Sequence, residues 1–276
     1  MRLGFGLGLE YSRLSGGGSG YNAFIIEVKT DNAGTSNDNQ FQFTGAEGDY
    51  DVVAKQGGAV VQTFSDLSDA ATLTFANGAG TYVLEVTPKE SNGFDSIDSG
   101  GGGDVNKILD IITYGQVNWA FISFYNGRNL KSIGDRVYNG EGITSFFRSF
   151  INAENTPVIN IREDFFWNCP NVLTFNQTFN SSSNNLIFSP RLFEKCTLVE
   201  DFKLVFFELT LPTDTYSKMI INLEATNIKD NVPFVGGNSK YDPTISDASM
   251  GSNLTTGQAL TNLNNRGWAF TDGGPI

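Results

Sequence analysis

The chain opens with a strict alternation of apolar side chains and glycine. This period-two pattern predicts a β-strand, and its glycine face would let another backbone approach closely. A lone strand is not stable in water, so we expect a partner to hold it. Residues 1–20 are therefore interpreted as an anchoring leader with a glycine hinge at its end. The predicted assembly anchor consists of Leu3, Gly4, Phe5, Gly6, Leu7, Gly8 and Leu9.

Residues 21–103 contain six short β-prone runs separated by turn-rich loops. This spacing predicts a small β-sandwich of the immunoglobulin type. The segment from Glu90 to Gly103 is expected to be a loose tail, and its four closing glycines mark the predicted domain boundary. The six runs are Phe24–Val28, Phe41–Phe43, Tyr50–Val53, Ala59–Phe64, Ala71–Phe75 and Thr81–Val86.

An internal repeat dominates residues 104–224. Residues 166–179 and 193–206 align position by position, and residues 137–150 fit the same frame. The three copies hold Phe166, Cys169, Val172, Phe175 and Phe179, then Phe193, Cys196, Val199, Phe202 and Phe206, and Val137, Gly140, Ile143, Phe146 and Phe150. A fourth copy is assigned to Phe124, Gly127, Leu130, Ile133 and Val137. Phenylalanine would fill the core, with Cys or Gly at a tight inner corner.

Short β-prone runs lie between these units, at Val158–Ile161, Leu186–Phe188 and Ile220–Leu223. One strand and one return per unit of this length predict a solenoid of the leucine-rich-repeat type.

Residues 225–276 predict a C-terminal cap for that solenoid. They begin with loop-like sequence around Pro233 and continue into one helix, with Thr255 or Thr256 as its N-cap and Gly267 as its stop. Trp268–Phe270 is expected to be a closing strand. The fold class is therefore mainly β, with a small helical cap.

Composition and charge narrow the function. The 276 residues include 31 Gly and 23 Phe but no His, and the net charge is −12. Without histidine, a Ser-His-Asp triad, a Cys-His dyad and an HExxH zinc site are excluded. The acidic balance argues against binding to a phosphate backbone, so no nucleic-acid partner and no cofactor are expected.

Cys169 and Cys196 lack zinc-ligand spacing and are interpreted as small buried hydrophobic residues. No run approaches the roughly 18 apolar residues of a membrane span, so we expect no membrane insertion. The apolar N-terminal segment ends at Glu10 without a cleavage site. We therefore expect no signal peptide and no export by the usual secretory route.

Acidic and oxygen-rich clusters are weighed as possible chemistry. The neighbouring carboxylates Glu163–Asp164, Glu200–Asp201 and Asp49–Asp51 suggest a glycosidase pair, but solvated surface charge is the favoured interpretation. The loop from Asp31 to Asp38 has enough oxygen atoms for a calcium ion, although it lacks the ligand order of an EF-hand. An ordinary loop without an ion is the favoured interpretation there.

Aromatic doublets indicate a recognition surface. One member of each doublet is expected in the core, while its neighbour points outward and can contact a sugar or a protein. Tyr125 and Tyr138 are assigned the same frame position as Trp167, so a stripe through these three residues is predicted. The candidate recognition surface consists of Tyr125, Tyr138, Phe147, Trp167 and Phe207.

The repeat F-x-x-C-x-x-[VL]-x-x-F resembles that of BspA-like leucine-rich-repeat surface proteins. The ending Arg266–Gly274 is similar to the Gly-Trp-x-x-x-Asp-Gly-Gly tail of that family, and Gly80–Val86 resembles the final strand of PKD-type domains. The W-G-D-G signature of PKD domains is absent. The leader resembles the start of proteins encoded by Bacteroidetes phages and prophages. These resemblances imply adhesion or recognition rather than catalysis.

We therefore expect a non-enzymatic bacteriophage virion protein, such as a tail fibre, spike or baseplate-associated protein. It would attach to a host-surface glycan or outer-membrane protein and join other virion proteins through its leader. It would assemble in the host cytoplasm, be displayed on the particle exterior and form a homo-oligomer by analogy with trimeric phage fibres. The alternatives are a bacterial leucine-rich-repeat adhesin and a glycan depolymerase on a solenoid.

Overall fold

The computed structural model describes residues 23–89, 93–98, 100, 102–151, 159–182, 186–226 and 228–276. The predicted leader lies outside these residues. The described fold is mainly β, as the sequence predicts, with two α-helices. Its strands are β1 (Phe24–Lys29), β2 (Gln40–Gln42), β3 (Asp49–Gln56), β4 (Ala59–Ser68), β5 (Thr72–Thr74), β6 (Thr81–Pro88), β7 (Ser96–Asp98), β8 (Ile108–Thr113), β9 (Phe121–Ser123), β10 (Ile159–Ile161), β11 (Leu186–Phe188), β12 (Pro233–Val235) and β13 (Ala269–Thr271). The helices are α1 (Thr213–Ala225) and α2 (Thr256–Asn265).

An antiparallel sheet of order β4-β3-β6-β1-β8 forms the first part of the fold. Strands β3 and β6 alternate buried and more exposed residues, as expected for a sheet with one covered face, while the first three residues of β1 are all buried. The antiparallel pair β2-β5 belongs to a second layer. Phe43 from this layer contacts Tyr50 at 5.7 Å between ring centroids, and Phe75 stacks on Tyr82 at 4.2 Å. The β-prone runs of residues 24–86 are therefore strands, within a few residues at each end.

The first sheet continues beyond the boundary predicted at residue 103. Strand β8 pairs with β1, and on its other edge Ile111 bridges to Ile133 in parallel. The segment expected to be a loose tail contributes the buried Phe94 and strand β7, which pairs with β9. Phe94 also contacts Trp119 at 5.5 Å. One continuous hydrophobic core thus joins the sheet to the residues that follow it.

A buried ion pair organises the loop from Asp31 to Asp38. Asp104 and Lys107 are both completely buried; Asp104 caps the start of a short 3₁₀ helix, and Lys107 is its last residue. The Asp104 carboxylate accepts hydrogen bonds from the backbone N–H groups of Thr35, Ser36 and Gln42. The Lys107 ammonium donates to the carbonyl oxygens of Ser36, Asn37 and Gln40 at 2.9–3.0 Å. The Lys107 ammonium thus holds the backbone around Ser36 and Asn37, while the Asp31 carboxylate pairs with Lys29 at 3.2 Å.

Residues 137–150, 166–179 and 193–206 have the same backbone path, and each segment lies in register on the next. We call each of these segments a coil. Phe146 N–H donates to the Thr174 carbonyl at 3.0 Å, and Phe175 N–H donates to the Asp201 carbonyl at 2.9 Å. Single parallel bridges link Ser145 to Thr174 and Thr174 to Asp201.

Columns of stacked phenylalanine rings fill these coils. Phe146, Phe175 and Phe202 stack at 5.6 and 5.5 Å, with interplanar angles of 2° and 6°. A second column holds Phe150, Phe179 and Phe206, at 5.7 and 6.0 Å. Every phenylalanine of the three matched frames is buried, as predicted. Each ring therefore covers the corresponding ring of the neighbouring coil.

The inner corner also matches the prediction. Gly140, Cys169 and Cys196 occupy it in consecutive coils, and a methyl group at Gly140 would overlap the Cys169 sulfur. The other recurring feature is a left-handed backbone at the non-glycine residues Arg148, Gln177 and Leu204, with φ of 59°, 59° and 56°. The chain thus turns in the same way at the same point of each coil.

The fourth frame, from Phe124 to Val137, is wrong. The Phe124 ring stacks on Phe150 at 6.4 Å, and its N–H donates to the Ser149 carbonyl. Phe124 therefore holds the last position of a coil rather than the first. Apolar residues recur about every three positions around each coil. A frame that is displaced along the sequence by several of these intervals therefore still places apolar residues at its five positions.

The strand predicted at Ile220–Leu223 is also wrong, because these residues belong to α1. Ile220, Ile221 and Leu223 are buried, and α1 packs against α2. A short apolar run does not distinguish a buried strand from a buried helix. Residues near Pro233, predicted as loop, form β12, which pairs in parallel with the closing strand β13. The α2 cap is confirmed as Thr255, which forms a capping box with Gln258.

The buried ion pair yields a stability prediction. We expect Lys107→Met to lower the free energy of unfolding by about 3–5 kcal/mol, because it removes one partner of a buried ion pair and leaves three backbone carbonyls without their donor. Urea denaturation followed by circular dichroism measures the change. The matched control is Lys131→Met at an exposed position, where a change within about 0.5 kcal/mol is expected. Equal effects of the two substitutions would contradict the structural role of Lys107.

Candidate recognition surface

In-register coils also place outward side chains in columns. Val137 N–H donates to the Phe165 carbonyl at 3.2 Å, and Gly140 N–H donates to the Asn168 carbonyl at 3.1 Å. These bonds align Val137 with Phe166 and Gly140 with Cys169. Tyr138 and Trp167, one residue after the first aligned pair, therefore occupy the same position on adjacent coils. The structure brings together these two members of the predicted stripe.

Tyr138 is held from two sides. Its hydroxyl donates a hydrogen bond to Asp135, and the Arg136 guanidinium lies 4.6 Å from its ring centroid. The hydrogen bond to the Asp135 carboxylate, together with partial desolvation, raises the pKa of Tyr138. Arg136 also pairs with Asp164 at 3.5 Å. The phenol is thus neutral at physiological pH and fixed in orientation.

Trp167 is the one partly exposed tryptophan, because Trp119 and Trp268 are buried. The Lys195 ammonium lies 5.6 Å from its ring centroid. Its indole N–H is buried without a hydrogen-bond partner in the described part of the chain. An unpaired buried donor costs about 1–3 kcal/mol. The indole N–H therefore does not stabilise the fold, and the ring is the part of Trp167 that can contribute to binding.

A groove of about 540 Å³ lies beside the two rings. Polar side chains make up most of its remaining lining. Asn118 bridges to Asn139, and Asn139 directly precedes Gly140 as Asn168 precedes Cys169. The three asparagines therefore form a second column next to the aromatic one. The groove is lined by Asn118, Tyr138, Asn139, Glu141, Gly142, Trp167, Asn168 and Pro170.

The asparagine column is tied to the backbone through its amide nitrogens. Asn139 Nδ2 donates to the Gln116 carbonyl at 2.8 Å, and Asn168 Nδ2 donates to the Val137 carbonyl at 3.3 Å. Within the described residues, the Oδ1 atoms of both side chains and the Glu141 carboxylate receive no hydrogen bond. The groove therefore presents unpaired hydrogen-bond acceptors at Asn139, Asn168 and Glu141. Sequence reasoning missed this column, although its alignment with Gly140 and Cys169 would have revealed it.

Tyr125 does not belong to this column, so the predicted three-residue stripe is wrong at that residue. Tyr125 follows Phe124, which stacks on Phe150, and thus lies at the end of a coil. The Arg148 guanidinium lies between Tyr125 and Phe147, at 5.8 and 4.8 Å from their ring centroids. These side chains form a separate aromatic cluster.

The remaining doublets follow the predicted rule in two cases out of three. Phe147 and Phe207 are 39% and 41% exposed beside buried partners. Phe165 and Phe166 are both buried, so the outward residue there is Trp167. Phe147 and Phe207 follow different core columns and do not share a surface column. Sequence reasoning missed five further exposed apolar side chains, Val60, Leu173, Ile187, Leu198 and Ile276.

The candidate carboxylates have polar or cationic partners. Asp164 pairs with Arg162 and Arg136, and Glu163 pairs with Arg191. The second pair is similar, since Glu200 pairs with Lys229 and Asp201 accepts from Asn176. In the third pair, Asp51 lies 3.3 Å from the Lys89 ammonium. Among the described residues, no group of three or more His, Cys, Asp or Glu side chains is placed to hold a metal ion. Neither α-helix in the described part of the chain is long and apolar enough to cross a membrane.

The assembly anchor Leu3, Gly4, Phe5, Gly6, Leu7, Gly8 and Leu9 lies outside the described residues. Its role stays a prediction.

The cysteines are buried and unpaired, as predicted. Burial raises the pKa of the Cys169 thiol to about 12, and it also raises the pKa of Cys196. Both thiols are therefore protonated near neutral pH, where the thiolate is the reactive form.

We expect Cys169 and Cys196 to react with Ellman's reagent only after unfolding. The raised pKa makes the thiolate fraction of Cys169 roughly a thousandfold smaller than that of an exposed thiol, and burial blocks access as well. Absorbance at neutral pH measures the reaction with and without guanidinium. Thr197→Cys places a matched thiol at an exposed neighbouring position and should react at once. Equally fast reaction of the native cysteines would show that the corner of the coils is open.

No family model, curated protein or solved structure matches this chain.

Proposed function

We propose that this chain is a non-enzymatic virion protein of a bacteriophage that attaches the particle to a host-cell surface. In this proposal the first sheet and its second layer are an immunoglobulin-like sandwich. The coils are a leucine-rich-repeat-type solenoid related to BspA-like repeats, and the two helices with β12 and β13 cap its end. The sandwich acts as a spacer, and the solenoid presents the recognition surface.

The observation that carries the proposal is the column formed by Tyr138 and Trp167 on a rigid set of coils. Each ring is held by a cation at 4.6 or 5.6 Å, and the coils beneath are filled by stacked phenylalanines. Recognition surfaces favour large aromatic side chains that lose little conformational entropy on binding. A pre-organised aromatic groove suits attachment to an external ligand.

The charge of the chain agrees with an exposed role. A net charge of −12 keeps a protein soluble and disfavours binding to nucleic acid. The leader would join other virion proteins by strand addition, in which main-chain hydrogen bonds supply the affinity. The alternation of apolar residues and glycine from Leu3 to Leu9 supports this mode of attachment.

The location is tested by mass spectrometry of purified particles from the phage or induced prophage that encodes the chain, with immunogold labelling. Detection at a tail or vertex is the expected result. Absence from particles and presence on the bacterial envelope would favour an adhesin and overturn the proposal. Release of oligosaccharide from host capsule or lipopolysaccharide would instead identify a depolymerase.

We expect a particle carrying Tyr138→Ala and Trp167→Ala to adsorb to host cells at least about tenfold more slowly, because two central aromatic contacts are lost. Adsorption is measured as loss of free particles over time. Ile187→Ser, an exposed apolar position on β11 away from the groove, serves as the control and should adsorb normally. Unchanged adsorption by the double variant would place the attachment site elsewhere, with the Tyr125 and Phe147 cluster as the next surface to test.

A further inference from the structure

We propose that the groove beside Tyr138 and Trp167 binds a neutral, hydroxyl-rich saccharide. This inference rests on the proposed attachment function and names the class of ligand for the same site. It follows from three properties of the groove: its ring surfaces, its unpaired hydrogen-bond acceptors and the pairing of its cations.

The ring surfaces supply a platform for sugar rings. The faces of a pyranose that carry C–H groups pack on aromatic rings through dispersion and loss of apolar hydration. Tyr138 and Trp167 lie on adjacent coils, so a chain of sugar rings can meet both of them. Arg136 and Lys195 fix the orientation of the two rings before a ligand arrives.

The polar lining calls for a ligand that donates hydrogen bonds. Asn139 and Asn168 each donate one Nδ2 hydrogen to a backbone carbonyl, and their Oδ1 atoms accept no hydrogen bond from the described residues. Glu141, also in the lining, adds a carboxylate with no cationic partner among the described residues. Sugar hydroxyls are donors that can be directed at such acceptors. A ligand composed mainly of acceptors would leave these groups unpaired, at a cost for each.

The nearby cations favour a neutral sugar over an acidic one. Arg136 is paired with Asp164 at 3.5 Å, and Lys195 is paired with Glu194 at 3.1 Å. A carboxylate or phosphate on the ligand would therefore compete with existing partners and meet the charge of Glu141. The net charge of −12 acts in the same direction at long range. The volume of about 540 Å³ is within the range of small-ligand sites and accommodates a short oligosaccharide.

The test is an oligosaccharide array probed with the full chain. The array carries neutral oligomers of glucose, galactose, mannose, rhamnose and N-acetylglucosamine beside acidic oligogalacturonate and oligosialic acid. We expect binding to at least one neutral series and at least about tenfold weaker binding to the acidic oligomers. Titration of the best neutral oligomer should also shift tryptophan emission, because Trp167 is the one partly exposed tryptophan. No neutral ligand, or equal binding of acidic ones, would overturn the inference.

Two substitutions of Trp167 distinguish the contribution of its ring to binding from that of its indole N–H. Measured by calorimetry, Trp167→Ala should abolish binding of the selected oligomer. Trp167→Phe should retain it within a few-fold, because it keeps a ring and removes a buried unpaired donor. Ile187→Ser should bind as the parent does. Full binding by Trp167→Ala, with its folded state checked by circular dichroism, would place the ligand elsewhere.

The two proposals fail in different ways. If the double variant of Tyr138 and Trp167 loses adsorption but no neutral oligomer binds, attachment stands and the ligand class is wrong. If a neutral oligomer binds in the groove while the chain is absent from particles, the saccharide site stands and the virion role is wrong.

Discussion

The structure depends on the stacking of each coil in register on the next. The Phe146, Phe175 and Phe202 rings lie nearly parallel because their backbones are joined by hydrogen bonds at equivalent positions. This register has two results. It builds two columns of phenylalanine rings in the interior, and it turns any outward position into a column. The Tyr138–Trp167 pair and the asparagines beside it are therefore products of the same constraint that builds the core.

Much of this arrangement could be predicted from the sequence, and the limits have physical causes. Gly140, Cys169 and Cys196 fixed three coils correctly, since a small residue at a tight corner tolerates few alternatives. The frame at Phe124 failed because the apolar spacing within a coil is nearly regular. Likewise, the apolar run Ile220–Leu223 fits a buried strand and a buried helix equally well. Packing against α2 favours the helix. Tyr138 and Trp167 were found because their frame was right, and Tyr125 was misplaced because its frame was not.

Polar contacts between residues far apart in the sequence could not be predicted from the sequence pattern. The Asp31–Asp38 loop has the oxygen-rich composition of a cation site, but the contacts that organise its second half come from Asp104 and Lys107, 68–71 residues further along the chain. No local pattern links these residues. The asparagine column differs, since its spacing matches the repeat and becomes visible once the register is known.

The pairing of β1 with β8 has a mechanical consequence. Ile25 pairs with Thr113, so the start of β1 and the end of β8 lie at the same end of this antiparallel pair. Tension between the chain before Phe24 and the coils after Thr113 would pull both strands apart from that end, breaking hydrogen bonds one after another rather than all together. Phe24, Tyr114 and Trp119 pack together there, at 5.2–6.3 Å between centroids. That aromatic cluster is therefore the first element to bear a load between the two parts of the molecule.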